Sequence, residues 1–131
     1  MTDMISNQRD FMHLGSQTTT TYNEEQMGLY ASLIEEETRE LAQAYLSSNE
    51  PTEMIKEACD VLVVTLGFLL SMGINVHKAW ELVHRNNMSK VSNQDVIVKD
   101  INGKIQKSPE SIKRKADMMK GIQGLLNVHN S

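Results

Sequence analysis

The chain is poor in several of the residues that would mark other function classes. It has one cysteine, Cys59, so no intrachain disulfide can form, which fits a reducing cytoplasm. Cys59 itself reads as a small buried residue. Two prolines, seven glycines and six aromatic residues among 131 favour long helices over many short strands. No apolar run approaches the roughly 20 residues that a bilayer span needs. The longest, Val61 to Leu70, is interrupted by Thr65 and Gly67 and reads as a core helix, so no membrane partner is expected. Met1-Thr2-Asp3-Met4 has neither a basic region nor an apolar stretch and is not read as a signal peptide. With a net charge of −4 the basic surplus that polymeric nucleic acid attracts is missing. A glycine-rich phosphate loop is absent too, which excludes a P-loop enzyme. The histidines, at 13, 77, 84 and 129, have no ligand-like spacing and read as surface or packing residues.

What is present points to one all-α domain over residues 1–131. Hydrophobic residues make up 40% of the chain and charged residues 23%, a globular balance. Residues 3–14 predict a short helix ended by Gly15, followed by a polar loop from Ser16 to Thr21. Asn23 is a suitable N-cap for a helix to about Leu46, with Glu24 and Glu25 in its first turn. Ser47 to Pro51 reads as a turn, and Pro51 suits the first position of a helix to about Met72, closed by Gly73. From Ala58 onward that helix is apolar nearly all round, which predicts a central, buried element. Asn75 can cap a third helix to about Met88, packing through Val76, Ala79, Trp80, Leu82 and Val83. Asn102-Gly103 and the alternating Val96-Ile97-Val98 predict a short hairpin or ordered loop near 91–108. A last helix follows from Ser108-Pro109-Glu110 to about Leu126.

Two pairs of acids interrupt the apolar faces. Glu37 and Glu40 are three residues apart, as are Glu57 and Asp60, a spacing that puts each pair on one side of a helix. Glu37 lies in the middle of the stripe made by Tyr30, Leu33, Ile34, Leu41 and Ala44, with Glu40 on its edge and Glu36 further round. Glu57 shares a stripe with Val61, Val64 and Phe68. Glu35 and Arg39 point elsewhere, to water. The short connection makes the two helices antiparallel neighbours, and about 1.5 Å of rise per residue brings both pairs to similar heights. Carboxylates ~5 Å apart repel by about 3 kcal/mol at an effective dielectric of ~20. A hard divalent cation relieves this, and all-oxygen ligands select Mg²⁺, or Mn²⁺ in its place, over zinc. Mg²⁺ in such a setting commonly bridges to substrate phosphates. Basic and amide donors for phosphate follow the third helix, from His84 through Lys90.

Glu36-Glu37-x-x-Glu40, sixteen residues, then Glu57-x-x-Asp60, resembles the MazG-like nucleoside triphosphate pyrophosphohydrolases. That superfamily includes the dimeric dUTPases and phosphoribosyl-ATP pyrophosphohydrolase. Asn87-Met88-Ser89-Lys90, followed by Gly103-Lys104 and Lys107, is similar to the last of these branches. The segment 108–126 lacks the Pro-Asp ending associated with it. The resemblance implies a four-to-five-helix bundle completed by oligomerisation, as homodimer or homotetramer, with sites finished by another subunit. It implies Mg²⁺-dependent hydrolysis of (deoxy)nucleoside triphosphates to monophosphate and pyrophosphate, as nucleotide-pool house-cleaning. By motif match Glu37, Glu40, Glu57 and Asp60 would hold the metal. Glu37 would also orient or deprotonate the attacking water, and Glu36 would be a further ligand or supporting acid. Asn87 and Lys90 would contact phosphate or sugar, with Arg85, Lys104 and Lys107 as additional contacts. Phosphoribosyl-ATP cleavage and a non-catalytic helical assembly module are the alternatives.

Overall fold

The computed structural model describes residues 3–48, 50–92, 99–105 and 109–130; side chains at 48, 91–92, 109–111 and 127–130 are not among them. Among the described residues five α-helices follow one another: α1 (Met4–Leu14), α2 (Glu24–Gln43), α3 (Pro51–Ser71), α4 (Val76–Ser92) and α5 (Pro109–Asn130). The expected all-α class holds, and the described residues contain no strand. The chain divides into two compact units, one through Ile74 and one from Asn75.

In the first unit, each helix starts where a side chain can accept from its orphan amides. Asp3 caps α1 through the Ser6 N–H, and Asn23 caps α2 through the Gln26 N–H. Glu50 caps α3, accepting from Glu53 N–H at 3.0 Å, with Pro51 in the first turn. The amides of Glu53 and Thr52 hold the Glu50 carboxyl below its usual range. α1 stops at Gly15, as the sequence suggests, although the left-handed residue is Ser16, at φ 61. Gly73 closes the α3 exit at φ +72, and a Cβ there would meet the Thr21 backbone at 2.6 Å.

α2 and α3 form the principal packed pair. Their register is set at one end by a glycine. A Cβ on Gly67 would lie 2.2 Å from the Tyr30 ring, so only glycine lets the two helices approach there. Burial pushes the Tyr30 phenol above its ordinary value, and its hydroxyl donates to Gln17 Oε1 at 2.5 Å. One turn further along α3, Ser71 is fully buried. Its hydroxyl donates to the Gly67 carbonyl and accepts from Gln26 Nε2, both at 2.7 Å. Gln26 Nε2 also donates to the Thr18 carbonyl, and the Thr18 N–H donates to Gln26 Oε1, which ties the Ser16–Thr21 loop onto the pair. Among the described residues of this unit, Met12, Tyr30, Ala44, Val64, Leu70 and Ile74 are the buried apolar ones.

Several expectations need correction. The chain after α2 is not yet a turn at Ser47: it widens into a π-helical segment, Ala44–Ser48, before α3 begins. α3 is not enclosed on all sides, because Ile55, Leu62 and Val63 are exposed. Cys59 lies on that open flank and is exposed rather than buried; with Met4, Gln8 and Leu66 it borders a groove of about 260 Å³ beside α1. Hydropathy alone could not distinguish a covered flank from an open one.

In the second unit α4 runs past Met88 to Ser92. Val76 and Ala79 are buried as expected, but Trp80 is 66% exposed, stacking on His84 with ring centroids 6.3 Å apart, and Val83 is exposed as well. Of the expected hairpin, an ordered turn is described. Asp100 Oδ1 accepts from the N–H groups of Asn102 and Lys104, Gly103 takes φ +83, and Lys99 bridges Ile105. Val96-Ile97-Val98 lies outside the described residues. α5 continues beyond Leu126 to Asn130. Among the described residues no single helix is long and apolar enough to cross a membrane.

Candidate metal and phosphate site

The Tyr30–Gly67 contact sets what lies opposite what further along the antiparallel pair. Seven residues on from Tyr30 is Glu37, and seven back from Gly67 is Asp60; three more in each direction give Glu40 and Glu57. Glu37, Glu40 and Glu57 therefore meet because a glycine about two to three turns away fixes the register, while Asp60 is not one of the acids whose oxygens converge. Glu37, Glu40 and Glu57 each offer a carboxylate oxygen, and these three atoms lie within 4.8 Å of one another. Glu37 and Glu57 are half-buried and Glu40 is exposed.

Two carboxylate oxygens at this place, Glu37 Oε2 and Glu57 Oε2, are buried and have no hydrogen-bond partner among the described residues. Leaving such an acceptor unsatisfied costs about 1–3 kcal/mol, more when charged. Mutual repulsion adds roughly 3 kcal/mol per pair at an effective dielectric near 20, less for Glu40, which water screens. This geometry favours a positive group among the oxygens. The donor set, carboxylate only, suits a hard divalent cation rather than zinc. An acidic cluster able to hold such a cation is thus present.

Asp60 stands one turn on from Glu57, half-buried. Lys56 Nζ lies 2.7 Å from Asp60 Oδ2 and 3.7 Å from Glu57 Oε1. Asp60 first, then Glu57 and Glu37, hold the Lys56 ammonium above its usual range. A search for acids alone does not single out Lys56. Its i,i+4 spacing to Asp60 was the available signal. Glu36 is exposed on α2, and Glu35 pairs with Arg39 at 3.3 Å in water, as its outward position in the helix implies.

The expected phosphate contacts belong to the second unit. On α4, Lys90 Nζ donates to Asn87 Oδ1 at 3.1 Å, so these two act as one polar pair. Arg85 is engaged by Glu81 at 2.7 Å on the exposed face. Lys104 is exposed, its backbone N–H bonded to Asp100. Lys107 lies outside the described residues.

A family model described as phosphoribosyl-ATP pyrophosphohydrolase matches residues 8–87, a span that takes in the α2–α3 pair, all four acids and α4 as far as Asn87. No curated protein matches the sequence.

Proposed function

This chain belongs to the phosphoribosyl-ATP pyrophosphohydrolase family, and on that premise we propose that it hydrolyses (deoxy)nucleoside triphosphates to monophosphate and pyrophosphate with the help of Mg²⁺, clearing unwanted nucleotides. Membership makes it an enzyme acting on phosphoric anhydrides, and a nucleotide substrate follows from the same match. The observation that carries the reading is the convergence of Glu37, Glu40 and Glu57 with two buried, unpartnered oxygens among them.

Glu37, Glu40, Glu57 and Asp60 would hold the cation. Bound there, a divalent cation supplies charge neutralisation for phosphate oxygens and makes water more acidic. Glu37 has a carboxylate oxygen to spare and positions the attacking water, taking its proton as oxygen bonds to phosphorus. The anhydride P–O bond breaks, and pyrophosphate leaves. Glu36 stands by Glu37 in sequence as a supporting acid. Asn87 and Lys90 offer a neutral and a cationic donor to phosphate or sugar, with Arg85, Lys104 and Lys107 as further basic contacts. The exposed Ile55, Leu62 and Val63 on α3 support assembly as a homodimer or homotetramer. A monomer by light scattering would contradict that part.

Phosphoribosyl-ATP is the second substrate reading, favoured by the description of the matching family model. Both substrates would be cut at the same kind of bond. A panel of nucleoside and deoxynucleoside triphosphates together with phosphoribosyl-ATP, assayed for pyrophosphate with and without Mg²⁺, separates them. Cation-dependent release from triphosphates is the expected result, and release from phosphoribosyl-ATP alone would select the second reading. Glu37→Gln should lower turnover by about a hundredfold or more while keeping the helical fold. Unchanged turnover in that variant would reject the site.

A further inference from the structure

A positive group already sits against the acids. Lys56 is the residue before Glu57 and one helical turn before Asp60, and its ammonium bonds Asp60 at 2.7 Å while facing Glu57 Oε1 at 3.7 Å. The other oxygen of Glu57 is buried, with no hydrogen-bond partner among the described residues. Lys56 therefore neutralises one side of the cluster and leaves the other for a second cation. The contrast in exposure matters: the Lys56 side chain is 66% exposed and that of Glu57 only 12%. Glu57 is held by packing, whereas the lysine stem can swing into water at little cost. An exposed ion pair of this kind is weakly held, and an ammonium is a flexible point charge rather than a rigid fork.

We propose that Lys56 is a tethered counter-ion that competes with the divalent cation: it screens Asp60 and Glu57 in the metal-free protein and gives way when the cation binds. The proposal rests on the cation site argued above. It makes Lys56 a positioning residue, acting through the carboxylates and setting how tightly they hold metal. Its charge keeps the metal-free acids from driving α2 and α3 apart. The same charge must be moved or opposed each time a divalent ion enters, which weakens binding. Removing it should therefore have opposite effects on the two states.

The test is calorimetric titration of Mn²⁺ into the full chain without nucleotide, alongside thermal melts in chelator. Wild type, Lys56→Met and Lys56→Arg are compared. Lys56→Met should bind Mn²⁺ roughly three- to tenfold more tightly and melt at a lower temperature without metal. Lys56→Arg keeps the charge and should stay near wild type in both. A residue that only buttressed the helix would lower the melting temperature without tightening the cation. Equal or weaker binding by Lys56→Met, with wild type binding normally, would overturn the inference and leave the cation site standing. So would Lys56→Arg binding as tightly as Lys56→Met. Wild type that takes up no Mn²⁺ at millimolar concentration would overturn both.

Discussion

At one end of the α2–α3 pair, Gly67 admits the Tyr30 ring, Ser71 is bonded on both sides, and Gln26 clamps the preceding loop. At the other, about two turns away, Glu37 and Glu57 hold buried oxygens without a hydrogen-bond partner among the described residues. The same two helices carry a well-bonded end and a frustrated one. The difference teaches how a small chain keeps a costly site: close packing and a satisfied polar network lock the register, and the acids are then held together although they repel. Local inconsistency of this sort is where function is expected.

Breaking the bonded end should damage the acidic end. The largest effect is expected for Gly67→Ala, whose methyl must displace the buried Tyr30 ring. Denaturant unfolding should show a loss of about 3 kcal/mol, and cation affinity should fall with it, because the register that brings Glu37 and Glu40 to Glu57 is disturbed. Loss of stability with cation binding untouched would separate the two ends and contradict the coupling. Ser71→Ala is milder. It leaves one Gln26 N–H without its buried partner, a loss of about 1–2 kcal/mol by the same measurement, and the acids should keep their cation affinity because the Tyr30–Gly67 contact is intact.

Much of this contrast is legible in the sequence. Acids three apart within apolar stripes mark the frustrated end, and Asn23, Pro51 and Gly73 mark where the two helices begin and stop. The glycine that sets the register is not legible, since Gly67 reads as a mere interruption of an apolar run until Tyr30 is found against it. Lys56 is not legible either, since a lysine among acids is ordinarily a solvated neighbour. The open flank of α3 was missed for a different reason. Leu62, Val63 and Cys59 are as apolar as their covered neighbours, and composition does not say which side of a greasy helix the same chain covers. Trp80 misled in the same way, lying over His84 at the surface rather than in a core.

If the carboxylates are gathered for a divalent cation, a pair of melting curves tests it most directly. Wild type and Glu57→Gln should be melted in chelator and again in excess Mg²⁺. Wild type should gain several degrees with Mg²⁺, since a ligand that binds only the folded chain stabilises it. Glu57→Gln should melt higher than wild type in chelator, because repulsion is relieved, and should gain little from Mg²⁺. A wild-type curve that ignores Mg²⁺, or a variant that responds as fully as wild type, would contradict the claim.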